Sequence, residues 1–420
     1  MKKISIIALA AIATISSCTK DGLFPDKDGR EEIVTGTAPQ VFNAIMEGFP
    51  ATRATLDGMT PSWEVGDVIS IDGHSYTAKT AGTGSTFEGT GAGEAIHHAY
   101  FPAGLYNGGS PALPAVQTYV AGKFDMPMYA ESDNTTLSFK NICAVLAIKV
   151  TSADITTLKA IKVASDKKMN GTFTVSDNKA VVGTDGTNVV VLESSTALTL
   201  NADGTTFYIA IPAQNYKYLN IYLSSDGETY TRAMATKKAA GLGDIARSKM
   251  FNIGYETNAF QLYANGSYFA DRNVGASNAT DVGSKMTFFE AKKTDSDYVW
   301  GDNWCTPSRR QMDELLKAAT NDGSEKVNCE IVREGNVETG NIIGFKFTGK
   351  ETGYTGNSVF FPAENVYGSI SGGADYWSST SYQGGEAWNM NLHCYRDEWF
   401  SSWDHDNRYE EYTVRPVLVN

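Results

Sequence analysis

Asp67-Val68-Ile69-Ser70-Ile71-Asp72-Gly73-His74-Ser75-Tyr76-Thr77-Ala78 places two alternating runs around one Asp-Gly dipeptide. Alternation with a period of two sends successive side chains to opposite faces of a strand. Asp-Gly between such runs predicts a hairpin, because a type I′ turn needs positive φ at both central residues. The dipeptide recurs at Asp57-Gly58, Asp185-Gly186, Asp203-Gly204 and Asp226-Gly227. Further strands are expected at Ala144–Val150, Leu158–Ala164, Val189–Leu192, Thr206–Ile211 and Leu219–Leu223. No long segment between 39 and 257 carries a 3.6-residue apolar period. The fold class expected is mainly β: two antiparallel β-sandwich domains, 39–150 and 151–257, then a C-terminal α+β domain over 258–420. The Asn141–Val150 strand is read as the last element of the first.

The last block differs in texture. Trp300, Trp304, Trp377, Trp388, Trp399 and Trp403 all fall in it. It also holds the one convincing helix, over Arg309–Thr320. Ser308 and Gln311 fit a capping box, and Met312, Leu315, Leu316 and Ala319 make one apolar face. The acidity concentrates here too, with 23 acids against 14 bases among residues 258–420. Over all 420 residues there are 48 acids and 35 bases, net −13. Nothing in the chain forms a basic run that could neutralise a phosphate backbone, so nucleic acid is excluded as a partner.

Met1-Lys2-Lys3, the apolar run Ile4 to Ile15 and the small residues Ser16-Ser17 have the order of a secretory signal over 1–17. The apolar part is too short to span a bilayer of ~30 Å as a helix. Cys18 after the small residues resembles the lipobox of bacterial lipoproteins. That resemblance implies cleavage before Cys18, lipid on its sulfur, and attachment to the outer membrane. Residues 18–38 are polar and suit a flexible tether. Beyond Cys18, Cys143 sits in an apolar run and reads as a buried thiol. Cys305, Cys329 and Cys394 allow at most one bridge among themselves, and no C-x-x-C exists for a structural zinc.

The first half resembles the fimbrillin family of Bacteroidales, the type V pilins with their tip and anchor subunits. The residues concerned are Thr52-Arg53-Ala54-Thr55-Leu56 and Pro61-Ser62-Trp63-Glu64-Val65-Gly66-Asp67-Val68-Ile69, with Tyr76-Thr77-Ala78. Tyr100-Phe101-Pro102-Ala103 and Phe139-Lys140-Asn141-Ile142-Cys143-Ala144-Val145-Leu146 continue the series. The last block resembles a C-type-lectin-like domain of the Fibrobacter major paralogous type. Its marks are Phe269-Ala270-Asp271-Arg272-Asn273-Val274-Gly275-Ala276, Trp300-Gly301-Asp302-Asn303-Trp304 and Thr306-Pro307-Ser308. Glu314-Leu315-Leu316, Val359-Phe360-Phe361-Pro362-Ala363, Tyr376-Trp377-Ser378-Ser379-Thr380 and Val414-Arg415-Pro416-Val417 complete it. The strings of calcium-dependent sugar-binding lectins are missing; Trp388-Asn389-Met390 is the nearest.

The fimbrillin resemblance implies partnership with other subunits by strand exchange. Cleavage after Arg53 would remove the strand-like run Pro39–Phe49, and a neighbour's strand would fill the groove. Val414–Val419 reads as a core strand that could not be donated. A subunit that accepts but cannot donate caps a polymer, which makes a pilus tip adhesin the expected function. The alternative is a stand-alone surface lipoprotein that binds glycan or host protein.

No catalytic motif, metal site or cofactor site is assigned, and the chain is not expected to be an enzyme. The glycines at 82–93 lack a following helix, and none of the five His lies in H-E-x-x-H. The richest cluster is Tyr395–Tyr412. There Trp399 and Trp403 interleave with Asp404 and Asp406, a set that suits sugar stacking with hydroxyl acceptance, or a protein hot spot. Equally, the aromatics could be core and the acids solvated. If they bind a ligand, Trp399 and Trp403 should stand half-exposed around one concavity.

Overall fold

The computed structural model describes residues 39–47, 62–106, 108–152, 154–235, 245–253, 257–292, 304–320, 326–335, 340–368 and 370–418. Cys18, Arg53, Trp300 and Asp302 lie outside them. The fold is mostly β.

The predicted hairpin is present: β2 (Val68–Ile71) and β3 (His74–Ala78) pair antiparallel, with Ile71 opposite His74. Asp72 and Gly73 both have positive φ, 52° and 86°. A side chain at Gly73 would also collide with Gly108, whose Cα would lie 2.8 Å from the added Cβ. These strands belong to a closed barrel with β1 (Gln40–Met46), β4 (Gly84–Gly89), β5 (His97–Phe101), β6 (Met128–Ser132) and β7 (Thr136–Asn141), in the order β1-β4-β3-β2-β5-β6-β7. Closure depends on β1, which pairs antiparallel with β4 and parallel with β7. Where two facing sheets were expected over this segment, seven strands close on themselves and pair every edge. Parallel pairing of distant strands has no turn signal, so the sequence could not announce it. The barrel core is aromatic: the Trp63 ring meets Phe87, Phe101 and Phe139 edge-on, at 4.9, 5.1 and 5.4 Å.

β8 (Cys143–Val150) pairs with two later strands, β11 (Thr205–Pro212) antiparallel and β14 (Met250–Ile253) parallel. Its pairing therefore groups it with strands beyond residue 150, not with the barrel. Its alternate side chains feed two cores. Cys143 and Val145 enter the barrel core, while Ala144, Leu146, Ile148 and Val150 enter a second one. A strand buried on both faces reads as a continuous apolar run, as this one does. The second core is filled from the other side by β9 (Thr157–Ser165), β10 (Val189–Thr199) and β12 (Leu219–Ser224).

β9, β10 and β12 belong to a nine-stranded sheet that also takes in β13 (Arg232–Ala235), β15 (Thr257–Phe260), β16 (Phe269–Ala270), the Trp304–Cys305 strand and, at the far end of the chain, β24 (Val417–Leu418). Its other edge is the Val116–Tyr119 strand, beside β10. The sheet runs across residues 257 and 258 without a break, because β13 pairs with β15 and β15 with β16.

The helix expected over Arg309–Thr320 is α1 (Arg309–Ala319), with Thr320 as its C-cap. Ser308 accepts from the Gln311 N–H and Gln311 returns a bond to the Ser308 N–H, the reciprocal capping box. Met312, Leu315, Leu316 and Ala319 are buried in a third core, with Phe345, Phe347, Phe361, Tyr376, Met390 and Leu392. Around it lie a three-stranded sheet, β17 (Val327–Arg333), β18 (Ile342–Gly349) and β19 (Ser358–Pro362), and a four-stranded sheet, β20 (Asn365–Tyr367), β21 (Ser371–Ser381), β22 (Glu386–Tyr395) and β23 (Glu398–Asn407).

Several residues quoted for the lectin-like resemblance meet in this interior. The Asn273 amide donates to Val282 O and to the Tyr376 hydroxyl. Arg415, fully buried, donates to Ala270 O and Phe360 O and lies over the Phe361 ring. Burial lowers its pKa to about 10. The four cysteines Cys143, Cys305, Cys329 and Cys394 are free thiols. Among the described residues, no helix is long and apolar enough to cross a membrane.

Candidate functional site

β23 fixes where the expected site residues point. Its register against β22 sets Trp399 opposite Cys394, Trp403 opposite Met390, Asp404 opposite Asn389 and Asp406 opposite Ala387. Directly opposed residues share a face, and successive residues alternate. Trp399 and Trp403 therefore face the third core with Cys394 and Met390, while Asp404 and Asp406 face the other way. The structure brings each pair together and separates the pairs from one another.

Both tryptophans are half-buried against the core. Trp399 meets Phe347 edge-on at 5.8 Å. The Trp403 indole N–H donates to Asp313 Oδ1 at 3.3 Å. The Arg309 guanidinium lies over two rings, 3.7 Å from the Trp388 centroid and 5.1 Å from that of Trp403. The inner aromatics thus seat α1 on the four-stranded sheet. A cavity of about 780 Å³ is bounded by other residues, Leu105, Tyr119 and Tyr208 among them.

The acids sit in a different setting. Asp404 is exposed, and its carboxylate accepts the His405 N–H at 2.8 Å. Asp406 accepts from the Asn389 amide at 2.8 Å and the Tyr412 hydroxyl at 2.9 Å. The Asn391 amide donates to Asn389 Oδ1 at 2.7 Å and to Asp375 Oδ1 at 2.6 Å. Burial raises the Asp375 carboxyl pKa; the Asn391 bond opposes this, and the Glu364 charge adds to it. Burial and the bond to Asp406 push the Tyr412 hydroxyl upward as well. Glu364 itself is held by the Thr413 hydroxyl at 2.9 Å and Lys285 at 2.6 Å. No group of His, Cys, Asp or Glu able to hold a metal ion occurs among the described residues.

The outer face carries an aromatic pair that sequence reasoning had not joined. His393 and Phe400, opposite one another in β22 and β23, stack at 5.5 Å and 20°, and both are exposed. Gly373 lies beside His393 in β21 and adds no side chain to cover it. Asp404, Ser402, Asn391 and Asp375 lie on the same face. A flat ring pair edged by amide and carboxylate groups can stack on an apolar face while accepting hydroxyl or amide hydrogens. The signal available was the alternation Asn389-x-Asn391-x-His393 in β22.

The N-terminal candidates Cys18 and Arg53 lie outside the described residues. β1, ahead of Arg53 in the chain, is the strand whose place closes the barrel.

No family model and no curated protein matches the chain. Among solved structures, a "putative cell adhesion protein" from Bacteroides ovatus ATCC 8483 is similar over 51% of this chain and 91% of that one, at 16% identity and a TM-score of 0.31.

Proposed function

We propose that this chain is an exported, lipid-anchored subunit of the fimbrillin type. It accepts a donor strand from a neighbouring subunit and presents an adhesive, lectin-like end, as a pilus tip adhesin does at the cell surface. The observation that carries this reading is the seat of β1 between β4 and β7. Cleavage after Arg53 would detach β1, leave both neighbouring edges unpaired, and empty the core positions of Phe42 and Ala44. A donated strand with apolar residues at alternate positions would restore both ladders. At the other end β24 lies between β16 and the Trp304–Cys305 strand, with Val417 and Leu418 buried. A strand so held is not available for donation, which suits a subunit at the end of a polymer. A β-sandwich around the second core, behind the barrel, and a C-type-lectin-like last domain are part of the same reading. They are supported by a second core filled from two sheets and by a capped helix buried between a three-stranded and a four-stranded sheet. The outer face of β22 and β23 is the adhesive surface in this reading.

The test is Arg53→Ala. The variant should be exported and folded but absent from pili, and the cut wild-type chain should bind a synthetic peptide of the Gln40–Met46 sequence. Normal incorporation of Arg53→Ala would overturn the strand-acceptor role. The second reading, a stand-alone surface lipoprotein, is favoured by the closed barrel itself, in which every strand already has two neighbours.

A further inference from the structure

The cavity of about 780 Å³ opens where three sheets meet. Its walls include the barrel end at Pro102 and Leu105, the Val116–Tyr119 strand, and β11 from Thr205 to Ala210. Two of these walls are sheet edges. Among the described residues, Val116–Tyr119 pairs only with β10, and β11 pairs only with β8. The Val191 N–H bonds Ala115 O, so positions 115, 117 and 119 turn their main-chain groups toward β10. By alternation, those of Val116 and Thr118 turn away from it.

On β11 one residue shows what this edge requires. Ala210 stands opposite Val145 of β8 but bonds away from it. Its N–H donates to Gln117 Oε1 at 2.9 Å, and Gln117 Nε2 donates to its carbonyl at 2.7 Å. A primary amide has here taken the part of a peptide group in a neighbouring strand. By the same alternation the main-chain groups of Tyr208 and Thr206 point in the direction of Ala210's.

We propose that this seam binds an extended peptide segment. It would displace the Gln117 amide and pair its own main chain with Thr118 on one side and with Thr206 and Ala210 on the other. Only an extended backbone offers donors and acceptors alternately along both of its edges. The rings of Tyr119, Phe124 and Tyr208 in the same wall would take its apolar side chains. The volume lies within the ~300–1,000 Å³ of ordinary ligand sites. The site is separate from the β1 seat and from the outer face of β22 and β23, so it stands or falls independently of the proposed function.

The test uses the full chain with the peptide acetyl-Thr-Val-Thr-Val-Thr-Val-Thr-amide, and a twin N-methylated at alternate amides. Hydrogen exchange should show protection of 116–120 and 204–210 by the peptide and none by the twin. Gln117→Ala should tighten binding about tenfold, since no amide has to be displaced, and Thr118→Pro, which removes one edge N–H, should weaken it about tenfold. Three results would overturn the proposal: no protection of these segments at millimolar peptide, equal binding of the twin, or protection confined to β4 and β7. Protection of the same segments by maltoheptaose but not by peptide would also overturn it and make the cavity a saccharide site.

Discussion

Phe42 stands edge-on to Tyr76, ring centroids 5.2 Å apart at 84°. The Tyr76 hydroxyl also bonds the Gln40 side chain and accepts the Ala92 N–H at 3.0 Å. One tyrosine of β3 thus holds β1 at two positions. Phe42 is the larger of the two buried side chains that β1 gives to the core, and its truncation removes ring contacts to Tyr76 and His97. Phe42→Ala should cost about 3–5 kcal/mol of barrel stability. Tyr76→Phe strands the buried Ala92 N–H and should cost about 1–3 kcal/mol. Denaturant melts measure both. In either variant the β1 amides should exchange faster than those of β2 and β5; uniform acceleration across the barrel would mean that β1 is no separate unit.

Arg415 tests the interior of the last block. Its guanidinium fork holds two carbonyls that belong to separate strands, at Ala270 and Phe360. Met keeps most of the stem volume but supplies no donor. Arg415→Met should therefore destabilise by about 1–3 kcal/mol through the stranded carbonyls. Lys has no planar fork, so Arg415→Lys should recover only part of this. A differential scanning melt of the three proteins gives the order; wild-type stability in Arg415→Met would show that the carbonyls find other donors.

The reach of sequence reasoning follows distance along the chain. The Asp72-Gly73 hairpin and α1 are local: each is fixed by a turn dipeptide or a capping box within four residues. The seat of β1, the two-core role of β8 and the continuity of the nine-stranded sheet depend on pairings between distant residues. The candidate site divides in the same way. Trp399 and Trp403 occupy odd positions and Asp404 and Asp406 even ones, so their separation is implicit in the alternation once β23 runs unbroken to Asn407. The stacking of His393 on Phe400 depends on the register set by the turn at Arg396, where a non-glycine residue takes φ 56°. Nothing in its residue type announced that turn.

Asp375 gives a pH dependence with a definite sign. Burial raises its folded pKa above the unfolded value of about 3.9. The folded state therefore binds this proton more tightly than the unfolded state. The resulting stability is fully present below the unfolded pKa and is lost as pH rises through the folded one. Asp375→Asn keeps an oxygen for the Asn391 amide and carries no charge. It should raise Tm at pH 7 and leave it nearly unchanged at pH 3. An equal rise at both pH values would assign the effect to packing, and no rise at pH 7 would mean that the ionised carboxylate is well solvated.

The two faces of β23 make opposite predictions for binding and stability. Trp403 is tied to α1 through Asp313 and Arg309, so Trp403→Ala should lower Tm and leave ligand recognition by the folded protein intact. Phe400 is 43% exposed and stacks on His393, so Phe400→Ala should leave Tm within a degree or two of wild type. If the outer face is the adhesive surface, truncating its central ring removes a hot spot of about 2 kcal/mol, roughly a thirtyfold loss of affinity. His393→Ala should lose less, because Phe400 would still offer one face. A glycan and host-protein array with the full chain supplies the ligand, and titrations of the three variants against it give the comparison. Loss of binding in Trp403→Ala with full binding in Phe400→Ala would move the site to the inner face and remove the His393–Phe400 pair from it.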